Sequence, residues 1–216
     1  MSEANAAKPG IFITVEGIDG AGKSTQARML ADWLRARGCD VVLTREPGGT
    51  RLGEHLRPIL LEGEAHISPT VELLLYAADR AQHVAEVIRP ALAEGRTVVC
   101  ERYTDSTAAY QGYGRGLDLD FVCRLNQFAT GGLGPDLTLL LDLPVEAAQR
   151  RLAQTRDRLE REAPSFHARV GAGYRALADA HSERIRVIDA APPPEQVFRQ
   201  VAQVVEAFLR RRAGCH

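Results

Sequence analysis

The chain has 216 residues, with 27 basic and 28 acidic side chains and a formal net charge of −1. That length suits one α/β domain with a substantial core. The balanced charge gives no support for a nucleic-acid or membrane surface, and no apolar run approaches the ~20 residues that a membrane span needs.

The first ten residues, Met1 to Gly10, are small and polar, without the apolar stretch of a signal peptide. They read as a flexible N-terminal arm on a cytoplasmic protein. An apolar run of strand type, Ile11-Phe12-Ile13-Thr14-Val15, then feeds a glycine-rich turn, and helix formers follow from Gln26 to Leu30. Gly17, Gly22, Lys23 and Ser24 fit G-x-x-x-x-G-K-[ST] in the strand–loop–helix context that the motif requires. Backbone N–H groups of such a loop turn inward around phosphate oxygens, and the helix N-terminus favours an anion. Gly17, Ile18, Asp19, Gly20, Ala21, Gly22, Lys23, Ser24 and Thr25 are therefore expected to bind ATP, with Lys23 on the β- and γ-phosphates and Ser24 on Mg²⁺. A glycine turn without a ligand is the plainer alternative.

The first helix runs to about Arg37, with Gly38 as its C-cap. A short strand, Val41 to Thr44, ends in the loop Arg45-Glu46-Pro47-Gly48-Gly49-Thr50. Ligands of open α/β sheets gather at that carboxyl edge. Leu52 to Leu61 reads as a helix and Gly63 to Ser68 as a loop. Ser68 and Pro69 then start a long helix, as N-cap and first helical residue, that reaches about Ala93. Its apolar residues, among them Val71, Leu74, Leu75, Val84 and Ile88, cover more than one face. A central position or a second copy of the chain would bury them.

The third strand, Thr97 to Cys100, ends at Glu101-Arg102-Tyr103, and Gln111 to Gly116 reads as a glycine-rich loop before a helix from Leu119 to Ala129. Leu137 to Leu143 is a continuous apolar strand and Pro144 to Leu152 a helix. Gln154 to Glu162 is dense in charge. A helix from Phe166 to Ala180, a strand from Ile185 to Ile188 and, after Pro192-Pro193-Pro194, an amphipathic helix from Glu195 to Arg211 complete the chain. Strands alternating with helices predict an α/β fold, a parallel sheet covered on both faces, in one domain over residues 11–212. Cys39, Cys100, Cys123 and Cys215 form no C-x-x-C pair, so reduced thiols are expected rather than zinc or disulfides.

Glu101, at a strand's carboxyl end, is placed to hold Mg²⁺ or orient an acceptor phosphate; a solvated acid is the alternative. Arg102 beside it is a forked cation suited to phosphate. No N-K-x-D follows any strand, which argues against a GTPase switch. Arg150, Arg151, Arg156 and Arg158 read either as a solvated charged stretch or as a mobile loop that closes over a triphosphate.

The chain resembles the bacterial thymidylate kinases in Gly17 to Thr25, Arg45 to Thr50, Tyr76 to Gln82, Glu101 to Tyr103, Ala109 to Gly112 and Asp157 to Glu160, in that order. The resemblance implies a three-layer P-loop nucleoside monophosphate kinase fold, with a five-stranded parallel sheet and a short arginine-bearing lid at about 150–162. It implies transfer of the ATP γ-phosphoryl to dTMP with Mg²⁺, in the supply of dTTP for DNA synthesis, and a homodimer formed through the 69–93 helix. Asp19 then holds the 3′-OH side of dTMP, Glu46 and Pro47 line the acceptor site, and Arg57 and Arg102 grip its phosphate. Tyr76, where the family usually has phenylalanine, stacks on thymine. Arg80, Thr107 and Gln111 meet the base edge, and Tyr110 crowds the 2′ position. Glu101 stands where the family usually has aspartate. Gly20 occupies the P-loop position of a catalytic arginine, so the lid supplies it: Arg156 or Arg158, with Arg150 behind them. Lys23 and Arg102 complete the catalytic set. A kinase for another (deoxy)nucleoside monophosphate and an ATP-binding switch without transfer are the alternatives.

Overall fold

Five short apolar strands carry the fold in the computed structural model, which describes residues 10–62, 67–152 and 157–214. β1 (Ile11–Glu16), β2 (Val41–Arg45), β3 (Thr97–Glu101), β4 (Leu137–Asp142) and β5 (Ile185–Asp189) pair in the order β2-β3-β1-β4-β5, all parallel. The inner strands β3, β1 and β4 are almost wholly buried, as their near-continuous apolar runs require when helices cover both faces. Period-two alternation divides the side chains between two cores. Ile13 and Val15 of β1 join Leu30 and Leu34 of α1 (Lys23–Arg35) and Val201 and Val205 of α9 (Pro194–Gly214). Phe12 joins Val98 and Cys100 of β3 and Val84, Ile88 and Ala91 on the opposite side. β1 lies at the centre, with β2 and β3 to one side and β4 and β5 to the other, so the chain changes direction across it. The P-loop therefore leaves the sheet where a crevice opens.

The helix expected over 69–93 is present but not uniform. α3 (Pro69–His83) passes through a π-helical turn, Val84–Ile88, into α4 (Arg89–Ala93). Pro90 has no N–H to give to the preceding turn, and a π-turn accommodates the missing bond. α2 (Arg51–Leu61) and α6 (Leu119–Thr130) flank α3. The buried stripe of α3 is largely polar: Glu72, Tyr76, Asp79, Arg80 and His83, with Leu73 and Ala77. Its apolar Val71 and Leu74 remain about half exposed, beside exposed Leu52 and Ile59 of α2 and Phe121 and Phe128 of α6.

The expected loop at Gln111 is instead helical. α5 (Thr104–Thr107) runs into a second π-helical stretch, Ala108–Gly114. The glycines there serve close packing rather than a turn: a Cβ on Gly112 would lie 2.4 Å from Leu119 Cδ2. α7 (Val145–Arg151) and α8 (Pro164–Ala180) complete the helices. The expectations for residues 1–9 of the arm, for 63–66 of the loop, for 153–156 of the lid and for Cys215 lie outside the described residues. Among those described, no helix is long and apolar enough to cross a membrane.

Candidate active site

A cavity of about 760 Å³ opens along the carboxyl edge of the sheet. The P-loop forms its floor. Gly22 has φ 91° and caps α1, and a Cβ there would meet no atom within 4 Å, so the loop faces open space at the helix N-terminus, where a phosphate is favoured; within the loop Ala21 N donates to Ile18 O at 3.2 Å. Lys23 is buried, and its Nζ donates to Ile18 O at 2.8 Å with Asp19 Oδ1 at 3.7 Å. Burial and the neighbouring Arg102 lower its pKa. Ser24 Oγ donates to Glu101 Oε1 at 3.0 Å. These two hard oxygens fit an octahedral Mg²⁺, whose neighbouring ligands at ~2.1 Å lie about 3.0 Å apart.

Arg102 sits where donor and acceptor sides meet. Its backbone lies in the left-handed region, with φ 67°, uncommon for a residue other than glycine. Its N–H is tied to Val15 O at 3.1 Å. The guanidinium pairs with Asp19 Oδ1 and reaches Ser106 Oγ at 3.2 Å. Asp19 Oδ2 also accepts from Tyr110 OH at 2.7 Å. Burial works against ionisation of Asp19, but Arg102, Lys23 and Tyr110 overcome it and hold its pKa at about 2. Beneath them, Glu16 accepts from Tyr103 N at 2.7 Å and Ser106 Oγ at 2.6 Å. Burial and the nearby Asp105 push its pKa up to about 7.

At the other end the cavity is lined by Glu46, Pro47, Arg57, Tyr76, Arg80, Thr107, Tyr110 and Gln111, so all of the expected dTMP residues converge with Asp19 and Arg102. Arg57 Nη1 donates to Pro47 O at 2.7 Å, and burial together with Arg45 lowers its pKa. Arg80 is buried, and its five N–H groups are all engaged. Nε and Nη2 meet Glu46 Oε2 at 2.8 Å; Nη1 serves Thr107 Oγ1 and Asn126 Oδ1; Nη2 also reaches Tyr103 O at 3.0 Å. His83 Nδ1 holds the other oxygen of Glu46 at 3.0 Å. Tyr76 is 9% exposed, burial raises its pKa, and its hydroxyl has no hydrogen-bond partner among the described residues.

The lid residues divide. Arg158, expected over the phosphates, turns away: its Nη2 lies 2.6 Å from the buried Glu72 Oε2, and its Nε donates to Leu60 O at 2.9 Å. A shielded carboxylate demands a counter-charge, and Arg158 supplies one. Its neighbours Asp157, Leu159 and Glu160 line the cavity in its place. Arg156 lies outside the described residues. Arg150 is exposed and does not line the cavity.

Apart from Arg151, read with the arginine-rich stretch, the far wall was given no role by sequence reasoning. Ala190 to Pro194, after β5, form it with Val197 and Arg151, whose Nη1 and Nη2 donate to Ala190 O at 2.9 Å and Ala191 O at 2.8 Å. The Pro192-Pro193-Pro194 break directly after a strand was the available signal, since that position is again the carboxyl edge.

With this geometry in hand, residues 15–201 match the model of the thymidylate kinase family. The chain belongs to that family. A thymidylate kinase of Desulfovibrio desulfuricans is 54% identical over 212 residues, 94% of this chain and 98% of that protein. One from Gloeobacter violaceus is 54% identical over 203 residues, 92% of this chain and 96% of its own. The crystal structure of thymidylate kinase from Ehrlichia chaffeensis superposes with a TM-score of 0.76 at 34% identity, covering 92% of this chain and 99% of that one. The five-stranded parallel sheet flanked by helices is that of the P-loop nucleoside monophosphate kinases, as the sequence led one to expect.

Proposed function

We propose that this chain transfers the γ-phosphoryl group of ATP to the 5′-phosphate of dTMP, giving dTDP and ADP. The carrying observation is that one cavity joins the P-loop to a pocket lined by two arginines, Arg57 and Arg102, and by a buried tyrosine, arginine, threonine and glutamine. A regulatory ATP switch has no use for that second pocket.

In this reading the P-loop N–H groups hold the ATP phosphates, and Lys23 exchanges Ile18 O for the β- and γ-oxygens. Ser24 and Glu101 would hold Mg²⁺, which would supply neutralising charge for the phosphate oxygens. Arg57 and Arg102 hold the dTMP phosphate against its repulsion by ATP, and Asp19 and Tyr110 take the deoxyribose side. Tyr76 offers its ring to the base, with Thr107 and Gln111 at the base edge; Arg80, whose N–H groups go to Glu46, Thr107, Asn126 and Tyr103 O, holds Thr107 and Glu46 in place behind them. No side-chain nucleophile is required, because positioning and electrostatics perform the transfer. Arg158 is committed to Glu72, so Arg156 is the lid cation we assign to the transferring phosphoryl, where such a group is worth about 10³ or more in rate.

We further infer a homodimer through the outward face of α3, extended by α2 and α6. The support is that Leu52, Ile59, Val71, Leu74, Phe121 and Phe128, carried by these three contacting helices, are all exposed in the single chain. A cytoplasmic location follows from where ATP and dTMP are found.

The test is ADP release with Mg-ATP and a panel of dTMP, dUMP, UMP, dCMP and AMP. Fast turnover with dTMP and a weak dUMP signal are expected, since one methyl group in a pocket is worth only ~1–3 kcal/mol. Preference for another monophosphate would discard the base-pocket assignments and keep the transfer. Absence of acceptor-dependent turnover would leave an ATP-binding switch.

A further inference from the structure

Glu72 is a fully buried carboxylate in the first turn of α3, and no step above uses it. Its partners come from two parts of the site. Oε1 accepts from Gln111 Nε2 at 2.8 Å and from Arg115 Nε at 3.1 Å. Oε2 accepts from Arg115 Nη2 at 3.0 Å and lies 2.6 Å from Arg158 Nη2. Arg115 reaches on to Glu162 Oε1 at 2.5 Å. Glu72 thus joins the base end of the cavity to the segment 157–162.

The bond to Gln111 decides which end of that amide is free. Burial opposes ionisation of Glu72, but hydrogen bonds from Arg115 and Gln111 more than offset it and lower its pKa. An ionised carboxylate only accepts, so it takes the amide nitrogen. Among the described residues the Gln111 side chain makes its hydrogen bond through Nε2 and none through Oε1, and Gln111 lines the cavity. The pocket is therefore offered an acceptor. A thymine carries an N–H at N3, whereas cytosine carries a lone pair there.

We propose that Glu72 is a positioning residue for base selection: by holding the amide nitrogen of Gln111, it presents the carbonyl oxygen to the N3–H of thymine and turns cytosine away. This rests on the reading of Gln111 as a base contact.

The experiment compares kcat/KM for dTMP and dCMP in Glu72→Gln and Glu72→Asp. Glutamine at 72 has an N–H to give to Gln111 Oε1, which frees the Gln111 nitrogen to face the pocket. Aspartate keeps the charge that Arg115 and Arg158 need but falls one methylene short of Gln111, and it decides the matter if E72Q does not fold. The expected result is a loss of about ten-fold or more in dTMP efficiency, with dCMP efficiency held or raised and the KM for ATP within about two-fold of wild type. In a Gln111→Leu background, E72D should leave the dTMP/dCMP ratio where Q111L alone puts it. A uniform fall for both substrates, with the ratio unmoved, marks a merely structural role and overturns the proposal. Wild-type protein that does not turn over dTMP would defeat the functional reading itself; dTMP turnover with an unmoved ratio defeats only the role of Glu72.

Discussion

Replacing Glu46 by glutamine should be among the most damaging isosteric changes in the protein. Arg80 and Glu46 are 1% and 2% exposed, with Nε and Nη2 both 2.8 Å from one oxygen. Water therefore cannot screen the pair. The variant keeps the volume and one acceptor but leaves the Arg80 guanidinium without a counter-charge, because its other partners, Thr107, Asn126 and Tyr103 O, are neutral. Removing one partner of a buried ion pair costs about 3–5 kcal/mol. For a domain of this size that is a fall of about 6–20 °C in Tm. Urea unfolding followed by far-UV circular dichroism measures it, and the KM for dTMP should rise while that for ATP holds. The double variant Glu46→Gln/Arg80→Met removes both charges and should be less damaged than the sum of the singles by about 2 kcal/mol or more. A loss below about 1 kcal/mol in E46Q, or additivity in the double variant, would refute the view that this pair is buried and mutually dependent.

Asp79 accepts from Gly48 N at 3.0 Å, its Oδ2 has no partner, and burial with the nearby Glu46 pushes its pKa up to about 7. The folded protein then keeps a proton that the unfolded chain sheds above about pH 4, so stability falls as pH rises from there to about 7. Asp79→Asn does not titrate, and its stability relative to wild type should climb by a few kcal/mol over that window; parallel urea curves at pH 5 and 8 would count against it. Tyr76→Phe removes a hydroxyl without a partner and should leave the KM for dTMP unchanged or lower, as steady-state kinetics will show. Phe128→Asp replaces a ring that is 85% exposed by a charge; light scattering should find a dimer for the wild type and a folded monomer for the variant.

The parts of this protein that were legible in the sequence are those set by local pattern. The apolar runs fixed all five strands, and the P-loop announced itself because strand, glycines, lysine and helix are contiguous. The acceptor residues were legible only through resemblance, since nothing local in Thr107 or Gln111 marks them. What escaped depends on distant partners. Glu72 reads as one more acid on a helix until Arg115 and Arg158, 43 and 86 residues away, arrive at it. Asp79 sits in the same helix and looks exposed until α2 and the 46–49 loop close over it. Gln111 to Gly116 reads as a loop because its glycines suggest turns, whereas Gly112 and Gly114 lie in the π-helical stretch Ala108–Gly114 and admit Leu119 and Phe166.

The tie between Arg102 N–H and Val15 O has a consequence for calibration. In the proposed reaction, the loop assigned to the ATP phosphates leaves β1, and the cation assigned to the acceptor phosphate leaves β3, the strand paired directly beside it. The separation of the two reacting groups is thus gauged by the ~4.8 Å pitch between adjacent strands. Backbone hydrogen bonds set that ruler, and substitutions in the pocket do not recut it. Such a chain is free to change which base it admits while its transfer distance stays the same.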